Sequence, residues 1–166
     1  MARRLILLRH AKSGWDDPSL RDFDRPLNKR GLHDAPRMGR LLRDADIKPA
    51  VIISSDAKRA LTTAQLVASE LGYPVADIRP NHALYLAPPT TMLEALATMA
   101  AHDNDVLMVA HNPGMTDLAN QLSDTRIDNL PTCGVFIITQ DAADWHELGN
   151  NAGCFAGYYS PKNDLS

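Results

Sequence analysis

The sequence contains few cysteines, no long apolar run and no excess of positive charge. Its two thiols, Cys133 and Cys154, are too few to build a disulfide scaffold in a chain of 166 residues, so packed or idle thiols are the simplest interpretation. Because no apolar run approaches the length of a membrane span, no membrane partner is expected. The formal net charge of −3 supplies no basic field that would hold nucleic acid, so no nucleic-acid partner is expected either.

The chain shows no sign of division into parts. Its apolar content of 45% and charged content of 22% are typical of a folded protein, and no linker, repeat or low-complexity segment interrupts it. We therefore predict one domain over residues 1–166, with an irregular tail from about residue 149. Arg3 and Arg4 precede a short apolar run without a cleavage-like segment, which predicts a strand rather than a signal peptide. A cytoplasmic location is the default expectation.

Short apolar runs alternate with stretches of helical periodicity along the chain. The apolar runs predict strands at 5–8, 49–53, 106–110 and 132–139, with a short strand within 75–80. The periodic stretches predict helices at 28–46, 57–71, 90–101 and about 113–122. The segment 145–148 is expected to form a hairpin with the strand predicted at 132–139. Alternating strands and helices predict an α/β fold with three layers, α/β/α, around a mostly parallel sheet.

The first predicted strand ends at two cationic side chains, Arg9 and His10. Side chains that follow a parallel strand reach the carboxyl edge of the sheet, where α/β proteins bind ligands. Arginine offers a planar fork of donors that suits phosphate oxygens, and histidine offers a nitrogen nucleophile with a pKa near neutrality. The pair therefore predicts phosphoryl transfer through a phosphohistidine, with a merely solvated strand end as the alternative.

Two further strand ends carry residues of the same kind. Residues 54–56 follow the second predicted strand and lead into a helix whose first turn contains Arg59. A cation is unfavourable at this end of a helix unless an anion binds nearby. His111 follows the central strand and precedes another helix. If the strands are parallel neighbours, these residues meet the Arg-His pair at one edge of the sheet, where they can hold a phosphoryl group by charge.

A long loop without periodicity, residues 11–27, leaves directly from the predicted site. Ordered loops of this length are usually functional. Arg25 in this loop could return to a bound anion as another donor. For any one of the loop's aspartates, solvated surface charge is the favoured interpretation.

Four motifs resemble, in order, those of the histidine phosphatase superfamily, which includes phosphoglycerate mutases and acid phosphatases. The motifs are Leu8-Arg9-His10-Ala11-Lys12, Asp24-Arg25-Pro26-Leu27 with Arg30-Gly31, residues 54–64, and His111-Asn112-Pro113-Gly114. The small size and the Arg-Pro-Leu segment look most like the SixA-type phosphohistidine phosphatase branch. The resemblance covers about residues 3–140 and implies a phosphoglycerate mutase-like fold.

The resemblance also implies roles for individual residues. His10 would be the nucleophile, phosphorylated transiently. Arg9, Arg59 and His111 would hold the phosphoryl oxygens, and Arg25 would add a contact of the kind seen in the SixA-type branch. This family uses no metal, no histidine spacing here suggests a metal site, and no cofactor is expected.

One departure from the family concerns the leaving group. Many members place a glutamate after the third strand as general acid for a leaving alcohol, but residues 83–87 contain no carboxylate. A phosphoramidate nitrogen can be protonated before it leaves, so this absence favours phosphohistidine as the substrate over a phosphate ester. Asp22 or Asp24 could alternatively serve as the acid.

We therefore predict a metal-free phosphatase whose partner is a phosphohistidine-bearing protein. Two alternatives remain open. One is a phosphatase that cleaves a small phosphate ester by the same chemistry, and the other is a phosphate-binding regulatory module without turnover. The presence of both histidines and both arginines of the predicted site weakens the second alternative.

Overall fold

The computed structural model describes residues 2–150 and 152–165, and this part of the chain forms a six-stranded sheet with helices on both faces. The strands are β1 (Ala2–Arg9), β2 (Val51–Ser54), β3 (Arg79–Pro80), β4 (Asp105–Ala110), β5 (Val135–Asp141) and β6 (Cys154–Tyr159). The helices are α1 (Lys29–Asp44), α2 (Lys58–Leu71), α3 (Pro89–Met99), α4 (Gly114–Leu122) and α5 (Pro161–Asp164). Asn151 and Ser166, both in the predicted tail, lie outside the described residues.

The strand order is β3-β2-β4-β1-β5-β6. The first four strands in this order pair in parallel, whereas β5 and β6 run antiparallel to their neighbours, so the predicted α/β fold with a mostly parallel sheet is confirmed. Only two residues of the strand predicted within 75–80 pair with β2. Arg9 faces Ala110 across β1 and β4, and Ser54 faces Val109 across β2 and β4. The carboxyl ends of these three strands therefore lie side by side.

The central strands β1, β2 and β4 are buried on both faces over most of their length, which explains why their sequences contain continuous apolar runs rather than alternating ones. Leu5 and Leu7 of β1 belong to the core formed with α3 and α4, while Ile6 and Leu8 belong to the core formed with α1 and α2. Each such side chain contributes about 1.5–3 kcal/mol when fully buried. This double packing fixes β1 in the sheet and gives the residues that follow it a defined position.

The loop after β1 touches the first turn of α1 through the backbone. A Cβ atom at Gly31 would lie 2.2 Å from the carbonyl oxygen of Lys12, so only glycine permits this approach. Asn28 caps the helix, because its side chain accepts a hydrogen bond from the backbone N–H of Gly31 at 2.9 Å. The backbone N–H of Asn28 in turn donates to the Lys12 carbonyl at 3.0 Å. The start of α1 is therefore fixed against the segment that carries the predicted nucleophile.

α2, α3 and α4 lie close to their predicted positions, whereas α5 was not predicted and falls within the tail that was expected to be irregular. α2 ends at Leu71 and is capped by Gly72, whose φ of 73° lies in the left-handed region that glycine adopts without strain. α4 begins at Gly114, one residue later than predicted, and the side chain of Asn112 accepts from the backbone N–H of Thr116 at 3.1 Å. Within the described ranges, no helix is both long and apolar enough to cross a membrane.

The segment after β5 differs from its prediction. Residues 145–148 do not form the second strand of a hairpin. Trp145 instead begins a 3₁₀ turn, and its buried indole N–H donates to the carbonyl oxygens of Ala100 and Asp103, each at 2.9 Å. The partner of β5 is β6, within the tail that was wrongly predicted to be irregular from about residue 149. β6 is an edge strand with much of its surface exposed, so its sequence lacks the apolar signal of a buried strand.

Candidate active site

The carboxyl ends of β1 and β4 bring the two predicted histidines together. His10 follows β1 and His111 follows β4, and the centroids of their rings are 5.2 Å apart. Both are buried, with 7% and 1% of their surfaces exposed. Arg59 reaches the same region from the first turn of α2 and is 3% exposed. The structure thus assembles the strand-end cluster, while the catalytic roles of its members stay predictions.

The His10 ring has one nitrogen tied to the backbone. Nδ1 lies 2.7 Å from the carbonyl oxygen of Ala11. Because a carbonyl oxygen only accepts, Nδ1 carries the proton of the neutral ring and the lone pair is on Nε2. Burial, together with the positive charges of Arg59, Arg9 and Arg25, lowers the pKa of His10 from 6.5 to about 4, although the bond to Ala11 opposes this shift. The ring is therefore neutral at pH 7, with an unprotonated Nε2.

His111 is tied through its other nitrogen. Its Nε2 lies 2.8 Å from the hydroxyl oxygen of Ser55, which also accepts from the backbone N–H of Ala57 at 3.2 Å. Its Nδ1 is buried and has no hydrogen-bond partner among the described residues. Burial, and then the neighbouring His10 and Arg59, lower the pKa of His111 to about 3. This imidazole is therefore also neutral at pH 7.

Three buried polar atoms around the two histidines lack a hydrogen-bond partner within residues 2–150 and 152–165: Arg9 Nε, Arg59 Nε and His111 Nδ1. Buried polar groups are nearly always hydrogen-bonded in proteins, so three such atoms from three segments mark a position that would stabilise a polar ligand. Arg9 does use its Nη1, which donates to the carbonyl of Leu130 at 3.0 Å. Burial and the charge of Arg59 lower the pKa of Arg9, which means that a nearby negative charge would be favourable.

Arg25 returns from the long loop toward this cluster and is only 7% exposed. Its Nη1 donates to the hydroxyl of Ser13 at 2.8 Å, and its Nε donates to Asp22 at 3.1 Å. Its guanidinium lies 3.5 Å from the centroid of the exposed Trp15 ring, a cation–π contact. These contacts hold Arg25 in one orientation, near enough for its charge to affect the pKa of His10.

Asp22 joins two of the arginines. Its Oδ2 accepts from Arg59 at 3.0 Å and from the hydroxyl of Tyr85, and its Oδ1 accepts from Arg25 at 3.1 Å. Burial works against ionisation, but the hydrogen bonds from Tyr85 and Arg59 prevail and lower the pKa of Asp22 to about 2. Asp22 is therefore a carboxylate at neutral pH and carries no proton for a leaving group, which argues against the acid role considered for it.

Asp24, the other acid considered, pairs outside the cluster. Its side chain is 41% exposed and lies 2.9 Å from Arg21.

Tyr85 also lies at the candidate site, although the sequence did not predict it. Its ring stands edge-on to His111, with the ring centroids 5.5 Å apart. The sequence predicted no role for the hydroxyl of Ser55 either. The loop around Tyr85, residues 82–89, is mostly apolar, so the sequence carried no local signal for this residue.

The donors at this edge of the sheet are imidazole and guanidinium groups, which suit an anion. Within the described residues, no group of three or more His, Cys, Asp or Glu side chains could hold a metal ion.

Cys133 is buried, Cys154 is exposed and both are free thiols. Burial raises the pKa of Cys133, so this thiol stays protonated and unreactive.

A neutral histidine beside buried cationic donors, at the carboxyl edge of a parallel sheet, is the arrangement of an enzyme that transfers phosphoryl groups through histidine. Comparison with known proteins agrees with this class, because the sequence profile of the histidine phosphatase superfamily (branch 1) matches residues 5–81. The chain belongs to this superfamily, in its SixA-type branch.

Individual relatives extend the similarity over most of the chain. An uncharacterized chloroplastic protein of Arabidopsis thaliana is 34% identical over 155 residues, which cover 89% of this chain and 71% of that protein. A structure from Agrobacterium tumefaciens, provisionally assigned as the phosphohistidine phosphatase SixA, has a TM-score of 0.80 at 28% identity and covers 96% of this chain and 98% of its own. A 2,3-bisphosphoglycerate-dependent phosphoglycerate mutase of Streptomyces avermitilis is 46% identical over 65 residues, which are 38% of this chain and 26% of the mutase. Together they support a phosphatase that works through histidine on phosphorylated substrates.

Proposed function

We propose that this chain is a metal-free phosphatase that is phosphorylated transiently on His10 and removes phosphate from phosphohistidine in a protein. The observation that carries the proposal is the set of three partnerless buried atoms, Arg9 Nε, Arg59 Nε and His111 Nδ1, near a neutral His10. A phosphoryl group has several oxygens that can accept from such donors at once. A ligand with a single acceptor would leave buried donors unpaired. A cytoplasmic location stays a prediction of the sequence.

In the first step, Nε2 of His10 forms a bond to phosphorus while the bond between phosphorus and the substrate nitrogen breaks. The pKa of about 4 keeps the attacking ring neutral at pH 7, so its lone pair is available. The hydrogen bond from Nδ1 to Ala11 stabilises the positive charge that the ring acquires. The leaving imidazole, protonated on its other ring nitrogen, departs as a neutral group and needs no acid from the protein.

In the second step, a water oxygen bonds to phosphorus, the bond from phosphorus to His10 breaks, and inorganic phosphate leaves. One proton of the water passes to solvent, and His10 returns to its neutral state. His111 can assist both steps through Nδ1. If the hydroxyl of Ser55 donates to Nε2 of His111, then Nδ1 carries the ring proton and donates to a phosphoryl oxygen.

The preference for a nitrogen leaving group is supported by the lack of an acid. Residues 83–87 contain no carboxylate. Asp22 has a pKa of about 2 and is held by Arg59 and Arg25. An alkoxide needs a proton to leave, whereas the imidazole of phosphohistidine does not. The similarity to the Agrobacterium tumefaciens protein, provisionally assigned as a phosphohistidine phosphatase, agrees with this preference.

The second candidate is a phosphatase that acts on a small phosphate ester. The observation in its favour is the similarity to the Streptomyces avermitilis phosphoglycerate mutase, at 46% identity over 65 residues. The chemistry at His10 would be the same, and only the leaving group would differ.

Turnover of a peptide phosphorylated on histidine, measured beside a panel of alkyl and aryl phosphates, tests the proposal. We expect release of phosphate from the peptide by the intact chain and none by a His10→Ala variant. Turnover of alkyl esters without turnover of the peptide would establish the second candidate. Saturable phosphate binding without turnover of any substrate would overturn both and leave a binding module.

A further inference from the structure

A groove lined by cationic side chains runs along α1 beside α5. It consists of two adjoining cavities of about 240 and 660 Å³, which share Arg30, Asp34, Pro161 and Lys162. We call it the basic groove and define it by its cationic and imidazole side chains: Lys12, Arg30, His33, Arg37 and Lys162. None of these residues takes part in the reaction proposed above, so the groove needs an explanation of its own.

The basic groove begins next to the candidate active site. Lys12 lies two residues after His10 in the chain. Thr132 lines the smaller cavity, and the backbone N–H of the next residue, Cys133, donates to the carbonyl oxygens of Arg9 and His10 at 3.0 Å each. α5 begins just after β6 ends. The last residue of β6, Tyr159, pairs with the first residue of β5, Val135, so α5 begins at the edge of the sheet that carries the candidate active site. A large substrate that places a phosphoryl group at His10 could therefore extend over the groove.

Positive charge in the basic groove is only partly neutralised. Asp34, its one carboxylate, is 5% exposed and is held by Arg30 at 3.1 Å. Arg37 donates to Nε2 of His33 at 3.0 Å. Lys12 and Lys162 are exposed, and no ion pair is found for either within the described residues. The groove is therefore a local positive surface on a chain whose formal net charge is −3.

We propose that the basic groove is a docking surface for acidic side chains that flank the phosphohistidine of a protein substrate. This inference rests on the proposed function and names the chemistry of its partner. Arg30 uses its Nε on Asp34 and Arg37 uses its Nη1 on His33, whereas neither ammonium group, of Lys12 or of Lys162, has an ion-pair partner among the described residues. Flexible ammonium groups beside a groove of this size suit dispersed carboxylates on a protein surface better than they suit one small anion.

The long loop after His10 offers the opposite charge. Asp16 and Asp17 are exposed on that loop, where they would repel an acidic surface. Attraction at the basic groove and repulsion at the loop would together orient the partner, because charge complementarity selects the orientation of a complex as well as its rate of formation.

Two matched peptides test the proposal. Each contains one histidine phosphorylated with phosphoramidate, and the flanking positions are glutamate in one peptide and glutamine in the other. The quantity measured is the ratio of their KM values, which cancels any effect of a substitution on the reacting groups. For the wild-type chain we expect the glutamate peptide to have a KM lower by roughly fivefold, a total of several weak exposed ion pairs.

The double substitution Lys12→Glu and Lys162→Glu should reduce this ratio to about one or invert it, and high salt should do the same to the wild type. The control is Lys48→Glu, which makes the same charge reversal as each single substitution of the pair, at a side chain 81% exposed in the turn between α1 and β2. It should retain the wild-type ratio.

The possible outcomes distinguish a failure of the docking surface from a failure of the proposed function. Equal KM values for the two peptides in the wild type, or a ratio that survives the double substitution, would overturn the docking surface while leaving the proposed function intact. A wild-type chain that cleaves aryl phosphates but neither peptide would overturn the proposed function, and the docking surface with it.

Discussion

The inner and outer parts of the candidate site are held by different means. The inner part consists of Arg9, His10, Ser55 and His111. Arg9 is the last residue of β1, and the other three directly follow β1, β2 and β4, so packed strands determine where their backbone lies. The outer part, Trp15, Asp22, Arg25 and Tyr85, comes from loops and is held by side-chain contacts such as that between Asp22 and Tyr85. Arg59 touches both parts, because its charge affects the pKa of His10 while its guanidinium donates to Asp22.

The two parts also differ in how far their polar groups are satisfied. The inner part contains partnerless buried atoms on Arg9 and His111. In the outer part, Asp22 accepts hydrogen bonds from Arg25, Arg59 and Tyr85. The inner part therefore has buried polar atoms left over for the proposed anion, whereas the outer part already balances its own charge. Substitutions should therefore affect turnover strongly in the inner part and weakly in the outer part.

The largest effect is expected at His10. Because Nε2 of His10 is the proposed nucleophile, His10→Asn should abolish turnover, a loss of at least about 10⁴-fold. Mass spectrometry of the quenched wild-type reaction should locate phosphate on His10. Phosphate on His111 or on an aspartate would contradict the assignment, and circular dichroism of the variant controls for loss of fold.

Arg59→Ala and His111→Ala should each lower kcat/KM by roughly 10²-fold or more, since each removes a donor to the transition-state charge. The matched control is Arg21→Ala, because the Arg21 side chain is 77% exposed and pairs with Asp24 outside the cluster. It should stay close to the wild-type rate. If Arg59→Ala lowers the melting temperature without changing kcat/KM, Arg59 has a structural role only. The expected difference in turnover between the inner and outer parts would then be contradicted.

Acid should destabilise the inner part. The ordinary pKa of histidine is 6.5 and that of folded His10 is about 4, so between these values the unfolded chain binds a proton that the folded chain does not. Stability should therefore fall as the pH falls from 6.5 to about 4. His10→Asn removes this contribution, and its melting temperature should decline less over that interval. Parallel declines for the variant and the wild type would mean that His10 is not held neutral by the fold.

A smaller effect is expected in the outer part. Asp22→Asn should leave turnover of phosphohistidine within about threefold of wild type, because a carboxylate with a pKa of about 2 gives no proton to a leaving group at neutral pH. The same absence of an acid should make aryl phosphates with acidic leaving groups react faster than alkyl phosphates. Efficient cleavage of alkyl phosphates that Asp22→Asn abolishes would show that Asp22 does act as the acid.

The smallest effect is expected from chelation. The proposed donors to the phosphoryl oxygens are arginine and histidine side chains, which would take the role that a metal ion plays in other phosphatases. Exhaustive treatment with EDTA should leave turnover unchanged for the wild type. A loss that a divalent cation restores would contradict the metal-free proposal.

The sequence predicted the inner part better than the outer part. Arg9, His10 and His111 stand out because each follows a buried apolar run, and a run of this kind predicts a parallel strand from local composition alone. The network of Asp22, Arg59 and Tyr85 joins positions far apart in the chain, and no local pattern predicts which loop side chains will meet. The same limit explains the wrong prediction for the tail, because β6 is a strand only through its pairing with β5.

Buried strands and motif residues are encoded locally. The α/β class, the strand ends that carry His10 and His111, and the resemblance to the histidine phosphatases could therefore be predicted without the structure. The contacts of Asp22 with Tyr85 and Arg59, which keep it ionised at neutral pH, and the groove that Lys12 and Lys162 share are seen only in the folded chain. A residue's protonation and its neighbours depend on burial and distance. Those quantities exist only after segments separated in the chain have packed together.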